Sequence, residues 1–341
     1  MTTPPLPPVE QVAPGLWVIP VPIPINPLRY VLVHVLETEQ GLVLIDAGWD
    51  TPEAWQHLTE GLAVIGARDG DVHGLLVTHI HPDHYGLAGR VREELGAWVA
   101  LHPADAALLD DRYVQMDALI GETRAWLQQA GAPADRLEEL AGASLPVRPF
   151  VTVARPDVLL EHDERVPVGG WDLRAVHTPG HSPGHLCFYD HGRKLLFSGD
   201  HVLPRISPNV SVHPQSGPDP LGDFLASLER VRDLPAELTL PAHEWRFTGL
   251  ADRVDELIGH HEHRLDAVAV IVHDGAETTY EVAERMPWSR GWHTLPPFMR
   301  RLAIGEAHAH LIMLDARGQL THQPGTPERW STPSDDRTTT P

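Results

Sequence analysis

Thr78-His79-Ile80-His81-Pro82-Asp83-His84 packs four metal-capable side chains into six residues. His79 and His81 are two apart, so both point to one side as a strand runs out. Pro82 stops that strand, and Asp83-His84 turn onto the start of a helix. The arrangement can present two ligand pairs to two adjacent sites. Neutral imidazole and carboxylate are the donors Zn²⁺ takes when thiolates are absent. Further candidates lie downstream. His181 and His185 sit in TPGHSPGH, whose prolines and glycines force a tight loop. Asp200 in LFSGDHVL and His243 in LTLPAHE each come just past an apolar run. Loops at strand ends over a rigid sheet are where sites are built. One histidine after a strand is a weak signal, but the joint occurrence points to metal chemistry.

HIHPDH, the GH of TPGHSPGH, SGD and PAHE, in that order, resemble the metallo-β-lactamase-fold hydrolases. The pattern is most similar to their glyoxalase II-like (hydroxyacylglutathione hydrolase-like) branch. The resemblance covers residues 9–247 and implies a four-layer αββα sandwich. It also implies roles by position. His79, His81 and His181 would bind a first divalent ion, Asp83, His84 and His243 a second, and Asp200 would bridge them. Zn²⁺ is the expected ion, though Mn or Fe suits the same donors. Asp46, in LVLIDAG, would orient an imidazole from behind through its ring N–H, or else serve only as a strand-end turn. His185 would support its loop rather than bind metal. His201 should face away from the ions.

The implied chemistry is hydrolysis. Two ions about 3.5–4 Å apart would share a water and lower its pKa from near 16 to about 7. The resulting hydroxide would attack an electrophilic carbonyl or phosphorus, with Asp83 as the proton carrier. Thioesters and lactones are the expected substrates. Two rivals share the fold. Some relatives with a small C-terminal helical domain cleave RNA, and others use one iron on the first three ligands for persulfide oxidation. The complete second ligand set argues against the one-iron reading.

Elements able to position these residues can be read along the chain. Leu16–Val21, Tyr30–Leu36 and Gly41–Ile45 are β-branched or apolar runs bounded by Pro, Gly and Asn, and read as strands. Thr51-Pro52-Glu53 opens a helix to about Ala63. Gly74–Thr78 and Ala97–Leu101 are short buried strands around a helix ending near Leu95. Residues 103–142 are helical in period and rich in Ala, Leu and Glu, and read as an insertion. Its Tyr113, Met116 and Trp126 would form an apolar lid over the metal mouth or pack its own core. Trp171–Val176, Leu186–Tyr189, Lys194–Ser198 and Leu238–Leu240 are further strands, with a helix at 220–234. Arg205 would grip a substrate carboxylate or phosphate, or lie on the surface. Leu250–His273, Thr278–Met286 and 297–314 are three helices, closed by a turn at 316–318. They define a winged-helix-like C-terminal domain over 248–325. In it, the run His260, His261, His263 reads as a solvated helix face, and His308 and His310 diverge. Residues 1–8 read as a mobile proline-rich arm and 326–341 as a disordered tail.

Composition sets the bounds. The chain has 341 residues, 42% hydrophobic and 21% charged, which is ordinary globular usage. It excludes collagen, coiled coil and wholesale disorder. Lys+Arg is 26 against Asp+Glu 47, a net charge of −21. That field repels phosphate backbones and anionic membranes, so a small-molecule substrate is expected and nucleic acid is not. A homodimer is left open. The single cysteine, Cys187, reads as a small buried side chain and permits no intrachain disulfide. With no 18-residue apolar run and no basic, apolar leader, a cytoplasmic protein is expected. The 23 histidines are the compositional hint of metal.

Overall fold

The computed structural model describes residues 5–24 and 26–333. Its strands are β1 (Glu10–Ala13), β2 (Leu16–Pro22), β3 (Tyr30–Thr38), β4 (Gly41–Ile45), β5 (Val72–Leu76), β6 (Trp98–Leu101), β7 (Val158–Leu159), β8 (Leu173–His177), β9 (Leu186–Asp190), β10 (Leu195–Gly199), β11 (Leu238–Pro241), β12 (Thr321–Gln323) and β13 (Arg329–Ser331). The α-helices are α1 (Pro52–Val64), α2 (Pro82–Tyr85), α3 (Ala88–Leu95), α4 (Pro103–Ala106), α5 (Met116–Gln129), α6 (Leu137–Ala141), α7 (Pro220–Arg232), α8 (Leu250–His273), α9 (Thr279–Arg285) and α10 (Pro297–Ala316).

Strands β1 to β7 form one sheet in sequence order, antiparallel up to β4 and parallel from β4 to β7. A second sheet runs β11-β10-β9-β8, with β10 and β11 parallel. Leu36, Val43, Ile45 and Leu76 of the first sheet meet Ala175, Phe188, Phe197 and Leu240 of the second in one apolar layer. The outer face of the first sheet packs on α1 and α3 through Leu44, Leu58, Leu62 and Val91. The outer face of the second packs on α7 and the C-terminal helices through Tyr189, Leu196, Phe224 and Val254. Both faces of each sheet are therefore covered, which is why β3, β9 and β10 read as continuous apolar runs rather than alternating ones. The result is the expected αββα sandwich.

Local chemistry sets the ends of these elements. Thr51 Oγ1 accepts from the Ala54 N–H at 3.1 Å, Pro52 follows it, and Ala54, Leu58, Gly61 and Leu62 give α1 one buried stripe.

Two expectations are corrected here. Helix α8 buries Leu250, Val254, Leu257, His261, Leu265, Val268 and Val272, so His261 lies in the apolar stripe and not on a solvated face. His308 and His310 diverge as expected, each to its own buried partner: His310 meets His261 at 3.3 Å, and His308 meets Glu328 at 3.2 Å. The tail is ordered as far as residue 333 among the described residues. β12 and β13 form a hairpin there, anchored by buried Trp330, whose indole donates to Thr279 Oγ1 at 3.1 Å. Residues 1–4 of the expected arm and 334–341 of the expected tail lie outside the described residues.

The insertion also differs from a free lid. Trp126 is buried and its indole donates to His308 Nδ1 at 3.1 Å, while Trp126, Leu127, Leu137 and Leu140 share one apolar cluster with α8 and α10. Helices α5 and α6 are thus clamped against the C-terminal helices, and Trp126 is not a wall of the metal mouth.

Candidate metal centre

Every expected ligand leaves the sandwich at the same edge. The His79–His84 loop follows β5, Asp46 follows β4, His181 follows β8, Asp200 follows β10 and His243 follows β11. Because β4, β5 and β6 run parallel, as do β10 and β11, their C-terminal ends open together. The tight packing is visible at Gly199, with φ of 51°. A Cβ there would lie 2.7 Å from His185 Nε2 and 2.9 Å from the Thr78 Cβ. Only glycine lets the Asp200 loop approach the His79 loop this closely.

The donor atoms converge. His79 Nε2 lies 3.0 Å from His81 Nδ1, which lies 2.9 Å from His181 Nε2. Asp83 Oδ2 lies 3.4 Å from His243 Nε2 and 3.8 Å from His84 Nε2. The Asp200 carboxylate stands between the groups, with Oδ1 at 3.3 Å from His243 Nε2 and Oδ2 at 3.5 Å from His84 Nε2 and 3.6 Å from His181 Nε2. Separations of this size suit donors sharing an ion at about 2.0–2.2 Å.

The residues behind the ligands fix which nitrogen is bare. His84 Nδ1 donates to Asp46 Oδ2 at 2.8 Å, His181 Nδ1 to the Asn209 carbonyl at 2.7 Å and His243 Nδ1 to the Tyr30 carbonyl at 3.1 Å. His79 Nδ1 meets Thr78 Oγ1 at 3.0 Å, and that hydroxyl also meets Asp46. A proton on each Nδ1 leaves an Nε2 lone pair directed inward. His84 Nε2, His243 Nε2 and Asp200 Oδ1 are buried without an aligned hydrogen-bond partner among the described residues. Buried polar atoms without partners need an explanation, and a cation supplies it. The donor set fits divalent metal. Asp46 lies behind His84 and holds a positive φ of 62°, a strained conformation that the Thr78 and His84 contacts retain. His185 bonds Thr178 Oγ1 at 2.8 Å and accepts from the Asp200 N–H at 3.1 Å, so it braces the Asp200 loop.

Electrostatics divide the two groups. Burial, reinforced by the neighbouring imidazoles, holds His79 and His81 well below the usual histidine range, and burial lowers His181 as well. His84 and His243 go the other way. Burial opposes their charge, but Asp200, Asp46 and Asp83 hold His84 well above the usual value, and Asp200 and Asp83 hold His243 up at about 10. The metal-free second group therefore carries protons where ions would sit. Saturating the protein with divalent metal at pH 7 is expected to release at least about two protons per chain, two from His84 and His243 and a further fraction from the acidified water, with none from the imidazoles of the first group. An indicator-dye titration measures this, and a release near zero would contradict it. The fold should respond accordingly. An unfolded histidine titrates near 6.5. Stability from the His243 proton is thus fully present below about pH 6.5 and lost as pH rises through about 10. The metal-free thermal midpoint should fall across that window, and metal-loaded protein should not show that fall.

Other expected site residues are placed differently. Tyr113 is buried against the first sheet and donates to the Ile80 carbonyl, so it braces the metal loop from behind. Met116 is buried at the start of α5. Arg205 is exposed and paired with Glu244 at 2.6 Å. Cys187 is buried as expected, its thiol pushed up to about 12 by burial. Sequence reasoning missed Asp105, which is fully buried and joins two metal loops: its carboxylate accepts from Ile80 N–H at 3.0 Å, Gly184 N–H at 2.7 Å and Ser182 Oγ at 2.9 Å. The signal was present, since LHPAD after β6 repeats the strand–proline–aspartate order of HIHPD after β5. Beside His181 lies a cavity of about 280 Å³ lined by His177, His181, His213, Ser216 and Asp223.

The model of the metallo-beta-lactamase superfamily matches residues 26–243, and the chain belongs to that superfamily as one of its hydrolases. A probable metallo-hydrolase of Bacillus subtilis (strain 168), YqjP, is 24% identical over 303 residues, 85% of this chain and 89% of that protein. The crystal structure of a metallo-beta-lactamase family protein from Thermus thermophilus matches with a TM-score of 0.82 at 32% identity, covering 95% of this chain and 100% of that one. The acyl-coenzyme A thioesterase MBLAC2 of Gallus gallus is 31% identical over 181 residues, 49% of this chain and 55% of that protein. No helix among the described residues is long and apolar enough to cross a membrane.

Proposed function

We propose that the chain is a dinuclear metallo-hydrolase of small ester-like substrates, with thioesters or lactones as the class. The observation that carries this reading is the pair of donor groups sharing Asp200. His79, His81 and His181 would hold one ion, and Asp83, His84 and His243 the other. When bound, such ions supply Lewis acidity and an acidified water at neutral pH. The chain's own residues do the rest. Asp46, Thr78, Asn209 and Tyr30 orient the imidazoles from behind. Asp83 is kept ionised: burial opposes its charge, but His84 and His243 outweigh it. Its side chain is 14% exposed, so it can pass a proton between the site and solvent. The cavity beside His181 is sized for a compact acyl group. The motif order favours the glyoxalase II-like branch, and the likeness to an acyl-coenzyme A thioesterase agrees with thioester chemistry.

The test is metal content by mass spectrometry, then a panel of thioester, lactone, β-lactam and bis-phosphodiester substrates. Two ions per chain and highest kcat/KM on a thioester or lactone are expected. A single tightly held ion after reconstitution, or preference for the phosphodiester, would overturn the reading. His84→Ala and His243→Ala should each empty the second position first and leave the first largely filled, with turnover lowered at least about 100-fold.

A further inference from the structure

Two arginines near the metal centre lack a carboxylate partner among the described residues. Arg112, on the π-helical turn Asp110–Val114, makes no ion pair within 4.0 Å there, and its Nη1 donates to Gln215 Oε1 at 3.2 Å. Arg301, in the first turns of α10, is likewise without an ion pair among those residues. Its guanidinium bonds the Leu140 and Ala141 carbonyls at 3.4 and 3.3 Å and the Ser144 hydroxyl. Most other arginines of this acidic chain are paired, as Arg92 is with Asp157 and Arg232 with Asp255.

Both guanidiniums bear on the strap that walls the cavity beside His181. His213 and Ser216 line that cavity, and Gln215 lies between them, its N–H donating to His213 Nδ1 at 3.2 Å. Gln215 Nε2 is buried and has no acceptor among the described residues. Burial, then Arg112 and Arg301, hold His213 down at about 3, so its ring stays neutral. Burial and Arg112 also lower Arg301 to about 10. Asp105 lies within the field of Arg112, but its oxygens are already taken by Ile80, Ser182 and Gly184. Donors are thus in excess behind the His213–Ser216 strap, where Arg112 also bears on the ligand His81, while the one carboxylate lining the cavity, Asp223, lies among the lining residues and makes no ion pair with either arginine.

We propose that Arg112, Arg301 and Gln215 form an oxyanion subsite that holds a carboxylate or phosphate group of the substrate while its ester carbon meets the metal centre. A planar guanidinium suits either group through two parallel N–H donors. The inference deepens the small-ester reading and rests on it for the reaction, but the subsite can be detected without turnover.

The test uses metal-loaded protein and three variants, Arg112→Gln, Arg301→Lys and Gln215→Ala. Binding is read by calorimetry with hexanoate and with inorganic phosphate as separate probes, alongside metal content. Arg112→Gln should weaken the preferred probe roughly 10- to 100-fold with metal content unchanged. The stronger of the two probes identifies the group. In kinetics, KM for thioesters bearing that group should rise by the same factor and KM for neutral analogues should hold. Arg301 also ties down the insertion, so Arg301→Lys keeps its charge, and Arg112→Gln decides the outcome if the lysine variant is unstable. Equal probe binding by wild type and Arg112→Gln overturns the subsite whatever the substrate proves to be. Arg112-dependent binding of a single-stranded RNA oligomer, with neither small anion bound, overturns it in favour of a polyanion. Subsite binding without thioester or lactone turnover would leave the subsite standing and count against the proposed reaction.

Discussion

Asp200→Ala is expected to empty both ion positions together and to lower kcat/KM at least about 1,000-fold, equivalent to roughly 4 kcal/mol of transition-state stabilisation. Asp200 addresses both groups, through Oδ1 toward His243 and Oδ2 toward His84 and His181. Two cations held side by side repel each other, and a carboxylate between them offsets that repulsion. Its charge is strongly favoured in place: burial opposes it, yet His243 and His84 hold the carboxyl well below the usual range. Removing it also leaves His84 and His243 with Asp83 and Asp46 as their remaining partners, so their protonation should fall back toward that of ordinary buried histidines. Metal analysis after dialysis and steady-state turnover measure the effect. The Asp200 backbone N–H bonds His185, a contact that alanine retains, so the fold should survive and near-UV circular dichroism should be little changed. A variant that keeps two tight ions and near-normal turnover would show that Asp200 does not bridge.

The strand-end ligands were legible because each depends on a short stretch of chain. A buried run sets the strand, proline or glycine ends it, and the next polar side chain must leave at the C-terminal edge. Partners set by distant chain were not legible. Trp126 looked like a lid residue because its acceptor, His308, lies 182 positions away. Asp105 drew no reading from the sequence, because its partners lie 25, 77 and 79 positions away. His261 was different, since the spacing Leu257–His261–Leu265 places it in a helical stripe. The neighbouring His260, Glu262 and His263 drew attention to polarity over period. In the tail, proline and charge suggested disorder, but one aromatic side chain, Trp330, buried against Thr279 is enough to hold a hairpin. Arg205 and Arg112 show the same limit for charge. Arg205 follows the Asp200 motif and Arg112 lies in the insertion, and only the fold reveals that Glu244 pairs with the first and that no carboxylate among the described residues reaches the second.

Asp105→Ala is expected to cost about 3–6 kcal/mol of folding stability, more than most surface changes in this chain. The carboxylate is fully buried, and its two oxygens take three donors: the Ile80 and Gly184 N–H groups and the Ser182 hydroxyl. Alanine leaves all three buried without an acceptor, at roughly 1–3 kcal/mol each. The donors belong to different loops. Ile80 lies between His79 and His81, while Ser182 and Gly184 flank the turn after His181. The same carboxylate therefore holds the third ligand of the first group against the other two. Gly184 is shaped to this contact: a Cβ there would lie 2.6 Å from the Asp105 N and 2.8 Å from its Cβ and Cγ. Burial pushes the Asp105 carboxyl up, and the three donors only partly bring it back. The group is thus positioned by its bonds, at an electrostatic cost that only their geometry offsets. Asp105→Asn separates the two consequences. It preserves volume and one acceptor oxygen but turns an NH₂ toward a donor, so about half the stability loss should remain. Urea unfolding of metal-free protein gives the stability term, and competition with a chromophoric chelator gives the first-site affinity. Affinity should fall at least about tenfold in both variants, within the range seen when residues that orient metal ligands are removed. If Asp105→Ala unfolds at the wild-type urea midpoint, the carboxylate does not join the loops, and the alignment of His181 with His79 and His81 must come from the Asn209 carbonyl alone.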